Sequence, residues 1–484
     1  MDLFLSTSCP QCGADVSFEE ESTVLYCQYC GGALRVAGRS GVIRTYVAPR
    51  EDIRSIKKII RKALRHAKAK KALVTEKRLF FAPYWRIKGM VFRWIFGKKL
   101  DGEILKELKT KPLDYTFPAY EGIHLGLRSL GVRPAALKLL FFDRRKMSKT
   151  GAIMNVATTF DTAVIHGASV RDVGLDETGV RLHLGRTRLV GERYGIIYFP
   201  FWMMRLSLGA KGSVVLILDA VANKVTRVLT DEQWRDMEEK TGRQPATVSF
   251  SRVFFIPFKC PNCGWDLPLN RFDMIHLCGT CHRAWMEKGG RLKAVRFEAA
   301  APPEGLNESL VYLPFWVFHA EMTSNGQSLK TTADLHAFSP LYPSKAQEGT
   351  KPRPIRFYVP AVAIRNISAA NKLATRVTHN QPSFDPMPKD RLQDCRFMGV
   401  FLGPEAAADM ADVLLCSLTP ASNQKRQDFV KHAHTAINKL DLVWWPFYEQ
   451  RLFLRDAICG CGIQKGALSD YRTREFLDRE GTRT

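Results

Sequence analysis

Two copies of one cysteine pattern constrain this chain more than any other feature. Cys9 to Cys30 reads CPQCGADVSFEEESTVLYCQYC, and Cys260 to Cys281 reads CPNCGWDLPLNRFDMIHLCGTC. In each copy fourteen residues separate two Cys-x-x-Cys pairs, and the first pair is part of a Cys-Pro-x-Cys-Gly knuckle. Two residues between cysteines let one tight turn aim both sulfurs at a single ion. The pattern therefore predicts two four-cysteine metal ribbons.

The predicted ligands are all sulfur, which bears on the identity and the role of the metal. Four thiolates complete a tetrahedron about 2.3 Å from Zn²⁺ and leave no position open for water, so we expect two structural zinc ions. A rubredoxin-like iron centre uses similar spacing and is the alternative. Gly13 and Gly264 suit the turn after each first knuckle because glycine accepts a positive φ without strain. The eight predicted ligands are Cys9, Cys12, Cys27, Cys30, Cys260, Cys263, Cys278 and Cys281.

The remaining sequence predicts a cytoplasmic protein, free or peripheral at the inner face of the membrane. The opening residues, MDLFLSTSCP, contain no basic leader and no apolar stretch of the kind that a secretory signal has. The most apolar runs, around Ile196–Leu206 and Ser213–Ala222, are shorter than the roughly 20 residues that span a bilayer, so no transmembrane segment is predicted. Four further cysteines match no metal-binding spacing and are interpreted as buried or incidental thiols: Cys395, Cys416, Cys459 and Cys461.

After each cysteine pattern the same signals recur in the same order. The first half contains FFAPYW at Phe80–Trp85, DYTFPAY at Asp114–Tyr120, a predicted helix ending in LLFFD at Leu139–Asp143, and IYFPFW at Ile197–Trp202. The second half contains VYLPFW at Val311–Trp316, FYVPAV at Phe357–Val362, a predicted helix ending in QPSFD at Gln381–Asp385, and VWWPFY at Val443–Tyr448. This recurrence predicts an internal duplication.

The Pro-aromatic segments are typical of strands, and their proline predicts strand entry or an edge position because it has no N–H to donate. A GAKG turn between two apolar runs predicts one hairpin directly. The tryptophans of these segments are expected to cover a sheet face, with stacking on nucleic-acid bases as the alternative: Trp85, Trp202, Trp316 and Trp445.

The predicted fold class is α+β, with two four-cysteine zinc ribbons, each followed by a β-rich half of antiparallel hairpins and flanking helices. The predicted boundaries are 1–45 for the first ribbon, 46–248 for the first half, 249–295 for the second ribbon and 296–484 for the second half.

Cys9–Cys30, Cys260–Cys281 and the PYW and PFW segments together resemble a loosely defined set of bacterial zinc-ribbon proteins. Some of these lie beside phage-shock and SPFH-type membrane-maintenance proteins, and some are labelled helicase-like. The resemblance implies an adaptor on or near the cytoplasmic face of the membrane rather than an enzyme. This chain departs from those proteins in having two ribbons and no spanning segment, where they often have one ribbon or membrane-spanning helices.

A basic segment predicts an anionic partner. Residues 50–71 read REDIRSIKKIIRKALRHAKAKK, with isoleucines and a leucine at three- and four-residue steps, and ten cationic side chains against two acidic ones. The whole chain carries a formal charge of +24. A basic amphipathic helix favours anionic lipid or another polyanion, although an ordinary solvated face is the alternative. The predicted polyanion-binding residues are Arg54, Lys57, Lys58, Arg61, Lys62, Arg65 and Lys68.

Catalytic motifs are missing from the sequence: it has no Walker loop, no GxSxG elbow, no HExxH and no GxGxxG that opens a helix. We therefore expect no enzyme activity. Two functions remain open, a non-enzymatic adaptor that presents binding faces to partner proteins at an anionic membrane surface, and a nucleic-acid-binding zinc-ribbon protein.

Overall fold

Long antiparallel hairpins organise both halves of the chain, and helices pack beside them, so the α+β class is confirmed. The computed structural model describes residues 4–39, 41–50, 73–129, 138–171, 173, 175, 180–209, 212–241, 245–306, 308–340 and 351–469. Residues 51–71 of the predicted basic helix at 50–71, with all seven of its predicted polyanion-binding residues, lie outside them.

In the first half, strands and helices have the following bounds. The strands are β1 (Phe4–Ser8), β2 (Asp15–Glu19), β3 (Val24–Tyr26), β4 (Ala33–Ala37), β5 (Val42–Val47), β6 (Leu73–Lys99), β7 (Ile104–Pro118), β8 (Lys138–Phe141), β9 (Ala152–Ile153), β10 (Val180–Ser207), β11 (Ser213–Asp219), β12 (Lys224–Leu229) and β13 (Phe250–Ser251). The helices are α1 (Arg144–Thr150), α2 (Phe160–Arg171) and α3 (Asp231–Thr241). Eleven of these strands form one sheet, in which β6 pairs along nearly its whole length with β10.

The strands and helices of the second half have the following bounds. The strands are β14 (Phe254–Pro257), β15 (Ile275–Leu277), β16 (Ala284–Glu287), β17 (Leu292–Val295), β18 (Phe297–Ala299), β19 (Leu310–Ser324), β20 (Gln327–Leu329), β21 (Arg356–Pro360), β22 (Arg396–Phe397), β23 (His434–Glu449), β24 (Phe453–Asp456) and β25 (Gly462–Gln464). The helices are α4 (Thr332–Phe338), α5 (Ile367–Asn380), α6 (Pro404–Leu418) and α7 (Gln424–His432). An eight-stranded sheet is built around the β19–β23 pair.

The prolines of the Pro-aromatic segments mark neither strand ends nor sheet edges, so that prediction is wrong. Each lies inside a strand at the point where the neighbour on one side changes. The changes are from β9 to β7 at Pro83, from β5 to β11 at Pro200, from β22 to β21 at Pro314 and from β18 to β24 at Pro446. A residue without an N–H suits such a junction, where neither neighbour offers a carbonyl to receive one.

The two central hairpins pair in the same register. In the first, Phe81 lies opposite Pro200, and in the second, Tyr312 lies opposite Pro446. In each hairpin, the residue opposite the proline of the second strand lies two positions before the proline of the first strand. The third strand also matches, because the residue after each earlier proline pairs with the proline of the Pro-Ala segment: Tyr84 with Pro118, and Phe315 with Pro360.

The predicted helix ending at Leu139–Asp143 is wrong, because Lys138–Phe141 forms β8 and pairs with β1 and β5. A short apolar run fits a buried strand as well as a helix. Asp143 instead caps α1, where its carboxylate accepts hydrogen bonds from the amides of Arg145 and Lys146. In the second half α5 does end at Asn380, directly before the QPSFD segment.

The tryptophans expected on a sheet face are largely internal. Trp85, Trp316 and Trp445 are buried, and Trp202 is half-buried. Within the ranges given above, none of the helices has the length and apolarity that crossing a membrane requires.

The first half completes the core of the second. Phe92, Trp94 and Phe96 alternate along the far end of β6, so they share one face, and that face joins the cluster formed by α6, β19 and β23. The indole N–H of Trp94 donates to the carbonyl of Val413 at 2.9 Å. Nearby, the Lys106 ammonium on β7 donates to the last carbonyls of α6, which favour a cation.

Replacement of Trp94 by Ala is expected to lower the free energy of unfolding by about 3–5 kcal/mol, because it opens a cavity in this shared cluster and leaves a carbonyl unpaired. Urea unfolding followed by circular dichroism measures the loss. The matched control is Trp265→Ala, since Trp265 is 65% exposed and its loss should change the free energy by no more than about 0.5 kcal/mol. Equal effects of the two variants would contradict the shared core.

Candidate metal centres

Both predicted cysteine quartets converge. The first cluster comprises Cys9, Cys12, Cys27 and Cys30, and the second cluster comprises Cys260, Cys263, Cys278 and Cys281. Within each cluster the four sulfurs all lie within 4.8 Å of one another. Four of the Sγ–Sγ separations are 3.8 Å for Cys9–Cys30, 3.7 Å for Cys12–Cys27, 3.5 Å for Cys260–Cys281 and 3.6 Å for Cys263–Cys278. A tetrahedron with metal–sulfur bonds of about 2.3 Å has edges of about 3.8 Å, so each cluster has the geometry of a four-sulfur metal site.

The first knuckle of each cluster is built by the same turn. The amide of Cys9 donates to the carbonyl of Ala14 at 2.8 Å, and the amide of Cys260 donates to that of Trp265 at 2.7 Å. Gly13 and Gly264 have φ of 75° and 78°, as predicted. This left-handed conformation turns the chain back after the second cysteine, so both sulfurs of a pair face the same point.

In the first cluster, the pKa values of two thiols are shifted in opposite directions. A hydrogen bond from the Ala14 amide lowers the pKa of Cys12, but desolvation and the neighbouring thiols outweigh it and raise that pKa to about 12. At Cys27 the amide of Cys30 has the largest influence, and its hydrogen bond helps to lower the pKa to about 7. Sulfurs this close cannot all become thiolates without a cation to offset their repulsion.

In the second cluster, too, one thiol has a lowered pKa and another has a raised pKa. Burial alone would raise the pKa of Cys260, but the amides of Cys263 and Asn262 lower it to about 7. For Cys263 the Trp265 amide acts to lower the pKa, yet desolvation and the other three thiols raise it to about 12. A metal ion in either cluster must displace the remaining protons, so its binding releases protons and weakens as the pH falls.

The two clusters pack against each other although about 250 residues separate them in sequence. Strand β14, which leads into the second cluster, pairs with β4 of the first. The hydroxyl of Thr23 donates to the carbonyl of Asp273 at 2.8 Å, and the Arg35 guanidinium donates to that same carbonyl at 3.0 Å. A small apolar cluster joins Val24 to the buried side of the second metal site.

His276 belongs to this contact and not to the ligand set. Its Nε2 lies 2.7 Å from the Arg35 guanidinium, which can only donate, so the ring is neutral and accepts at that nitrogen. Burial, and then the charge of Arg35, holds the pKa of His276 well below its usual value.

Of the four cysteines left over, two come together. Cys459 and Cys461 lie beside the buried carboxylate of Asp456, and the three side chains form a further cluster of potential ligands. Sequence reasoning missed this group because Cys-Gly-Cys alone is uninformative. The signal that could have found it is the Asp-Ala that follows the last Pro-aromatic segment in both halves, at Asp219 and Asp456. Cys395 and Cys416 are not members of any such cluster in the described part of the chain.

Aromatic side chains project from the knuckles into solvent. Tyr29, between the last two cysteines of the first cluster, is 76% exposed, and Trp265, directly after the first knuckle of the second, is 65% exposed. Tyr26 and Leu269 are also exposed. The turns that hold the sulfurs therefore also present a set of apolar side chains in fixed positions.

Comparison of the chain with protein-family models, with curated proteins and with solved structures finds no match. Any functional proposal for this protein must therefore rest on the geometry of its sites and on its charge.

Wild-type protein is expected to bind two metal ions per chain, and the double variant Cys260→Ser, Cys263→Ser is expected to bind one. Two remaining sulfurs cannot complete a tetrahedron, whereas the first cluster keeps its own four ligands. Inductively coupled plasma mass spectrometry of the purified proteins measures the ratio. Cys395→Ser is the control, and it should retain two ions. A wild-type chain without metal, or a double variant that still holds two ions, would contradict the assignment.

Proposed function

We propose that this protein is a non-enzymatic zinc-binding adaptor whose two structural zinc ions brace a duplicated β-rich scaffold. The observation that carries the proposal is that two complete four-sulfur sites lie in contact with each other, next to the junction of the two halves. A site with four protein ligands has no position open for substrate or water, which supports a structural role for the ion.

Zinc is the metal that fits these ligands best. It accepts tetrahedral thiolate coordination without redox chemistry and contributes roughly 10–16 kcal/mol of apparent binding free energy in zinc-finger peptides. The segments around the two sites have short strands, and the buried apolar cluster at the second site is small. Metal binding is therefore proposed to stabilise both these segments and the contact between them.

A duplicated unit is the simplest origin for the two halves. Its support is the shared register of the central hairpins and the matching knuckle turns. A further match lies after the later proline: Phe201 pairs with Asp219 in the first half, and Phe447 pairs with Asp456 in the second. Each unit would consist of a metal-bound cap followed by its β-rich half.

The exposed aromatic residues on the knuckles support a protein-binding role. Solvent-exposed Trp and Tyr are the residues most enriched at binding hot spots, and rigid presentation lowers the entropy cost of association. Tyr29 and Trp265 meet both conditions, because metal coordination would fix the turns that carry them. We therefore assign the partner-binding face of the adaptor to the knuckle side of the two clusters.

The charge supports attachment to an anionic membrane surface. The net charge of +24 is large for a chain of 484 residues, and the densest run of cations lies at 50–71. Nucleic acid is the alternative polyanion. Stacking of bases on Trp85, Trp316 and Trp445 has no support, because these three side chains are buried.

Charge reversal in the basic segment tests the membrane proposal. Wild-type protein should bind liposomes that contain anionic lipid, and not liposomes of neutral lipid alone. The quadruple variant Lys57→Glu, Lys58→Glu, Arg61→Glu, Lys62→Glu should lose about 4 kcal/mol of binding, roughly a thousandfold, since each cation near the surface contributes about 1 kcal/mol. Liposome co-sedimentation over a salt series measures the affinity.

The matched control makes the same change in net charge elsewhere. Lys288, Lys293, Lys425 and Lys431 are all exposed and lie in the second half, and their replacement by Glu should leave most of the binding intact. Equal loss in both variants would show that only the overall charge matters. Tight binding of single-stranded or duplex nucleic acid without liposome binding would replace the membrane proposal by the nucleic-acid alternative.

A photo-crosslinking amino acid at position 265 is expected to capture a specific protein partner in the native host, because this side chain lies on the proposed docking face. The control position is Leu100, which is 91% exposed at the tip of the β6–β7 hairpin and far from both cysteine clusters in sequence. Mass spectrometry identifies the captured protein. Capture of the same protein at both positions, or at neither, would contradict a docking face at the knuckles.

A further inference from the structure

The turn between β24 and β25 brings two thiols and a buried carboxylate together, apart from both metal clusters. Its sequence is Asp456-Ala-Ile-Cys-Gly-Cys461. The Sγ atoms of Cys459 and Cys461 are 3.6 Å apart. The thiol of Cys459 also donates to Oδ2 of Asp456 at 2.5 Å. One proton donor, one proton acceptor and a second sulfur thus lie within contact of one another.

The equivalent turn of the first half has the same backbone and no thiols. Asp219 accepts amide hydrogen bonds from the two residues at positions +2 and +3, Val221 and Ala222. Asp456 does the same with Ile458 and Cys459. The residue that follows has a positive φ in both turns, 52° at Asn223 and 71° at Gly460. The turn therefore forms without cysteine, and the two sulfurs are an addition peculiar to the second half.

The geometry of this cluster does not favour a third metal ion. A closed structural zinc site has four protein ligands, whereas this cluster comprises two sulfurs and the carboxylate of Asp456, whose Oδ2 faces Cys459. The other oxygen, Oδ1, already accepts from the Trp445 indole at 2.7 Å and from the Ile458 amide at 2.7 Å. The neighbouring Cys461, burial and the Asp456 charge raise the pKa of Cys459, so its thiol keeps its proton until the carboxylate receives it during attack.

We propose that Cys459 and Cys461 form a reversible thiol–disulfide site, oxidised by low-molecular-weight disulfides of the glutathione type, with Asp456 as the proton acceptor. This inference is independent of the adaptor function, because it uses neither the metal clusters nor the basic segment.

The exchange occurs in two balanced steps. Asp456 takes the proton of Cys459, whose sulfur attacks the small disulfide RS–SR, so that one Cys459–SR bond forms and one RS⁻ leaves. Cys461, as thiolate, then attacks the sulfur of Cys459, so that the Cys459–Cys461 bond forms and the second RS⁻ leaves. Two protein thiols are oxidised, one small disulfide is reduced to two thiols, and the two protons released end on the leaving thiolates.

The surroundings of each sulfur match these roles. Cys459 is half-buried beside an exposed glycine, so a small disulfide can reach it, whereas Cys461 is only 7% exposed. The side-chain amide of Asn380 donates to Cys461 Sγ at 3.6 Å. In the reduced site the adjacent Cys459 thiol lowers the pKa of Cys461 despite burial, and the nearby Arg376 acts in the same direction. The charge of Arg376 is still present once Cys459 is held in the mixed disulfide, so it favours the thiolate at the attacking sulfur of the second step.

The test uses full-length, metal-loaded protein in glutathione buffers of increasing disulfide content. Cleavage after Arg455 and Lys465 releases the peptide DAICGCGIQK, which contains these two cysteines and no others. After acid quenching and alkylation, mass spectrometry should show this peptide change from doubly alkylated to unalkylated and lighter by two hydrogens. The metal content should stay constant, and dithiothreitol should reverse the change.

Single variants separate the two sulfurs. Cys461→Ser should accumulate a mixed disulfide with glutathione on Cys459, close to one per chain, because the resolving sulfur is gone. Cys459→Ser should leave Cys461 unmodified under the same conditions, and the control Cys395→Ser should oxidise as the wild type does. The proposal is overturned if the wild-type peptide stays doubly alkylated in excess glutathione disulfide. It is also overturned if the peptide is protected by a third metal ion, or if it oxidises only as metal is lost.

Discussion

Repulsion among clustered sulfurs is the constraint on which the rest of this structure depends. Four thiols lie within 4.8 Å of one another in each cluster, and at Cys12 desolvation and the neighbouring thiols outweigh the Ala14 amide and raise the pKa. A cation offsets that repulsion. The knuckle turns bring the two sulfurs of each first pair together.

The halves are joined at two places. At one, β14 extends the sheet of the first cysteine cluster, and Arg35 reaches across to His276 beside the second. At the other, the far end of β6 places Trp94 in the core of the second half. Contacts at both places make the scaffold a single unit, in which the proposed zinc sites and the hairpin core support each other.

The sequence predicts the features that short residue patterns determine, and it misses contacts that depend on the tertiary fold. Cys-x-x-Cys spacing located both clusters, and the Pro-aromatic segments located the central strands. The LLFF run at 139–142 led to a wrong helix prediction. Four consecutive apolar residues show no periodicity that distinguishes a strand from a helix. The contact of Trp94 with Val413 and the meeting of Asp456 with Cys459 and Cys461 depend on tertiary register. The one indication of the Asp456 cluster is that Asp219 and Asp456 occupy matching positions in the two halves.

The most direct test of the account is X-ray absorption spectroscopy at the zinc edge of the purified wild-type protein. The predicted result is four sulfur neighbours per zinc ion at about 2.3 Å, with no nitrogen or oxygen in the first shell. Coordination by nitrogen and oxygen would contradict a scaffold braced by sulfur-bound metal. Removal of the zinc by a mild chelator without any change in the fold would contradict it as well.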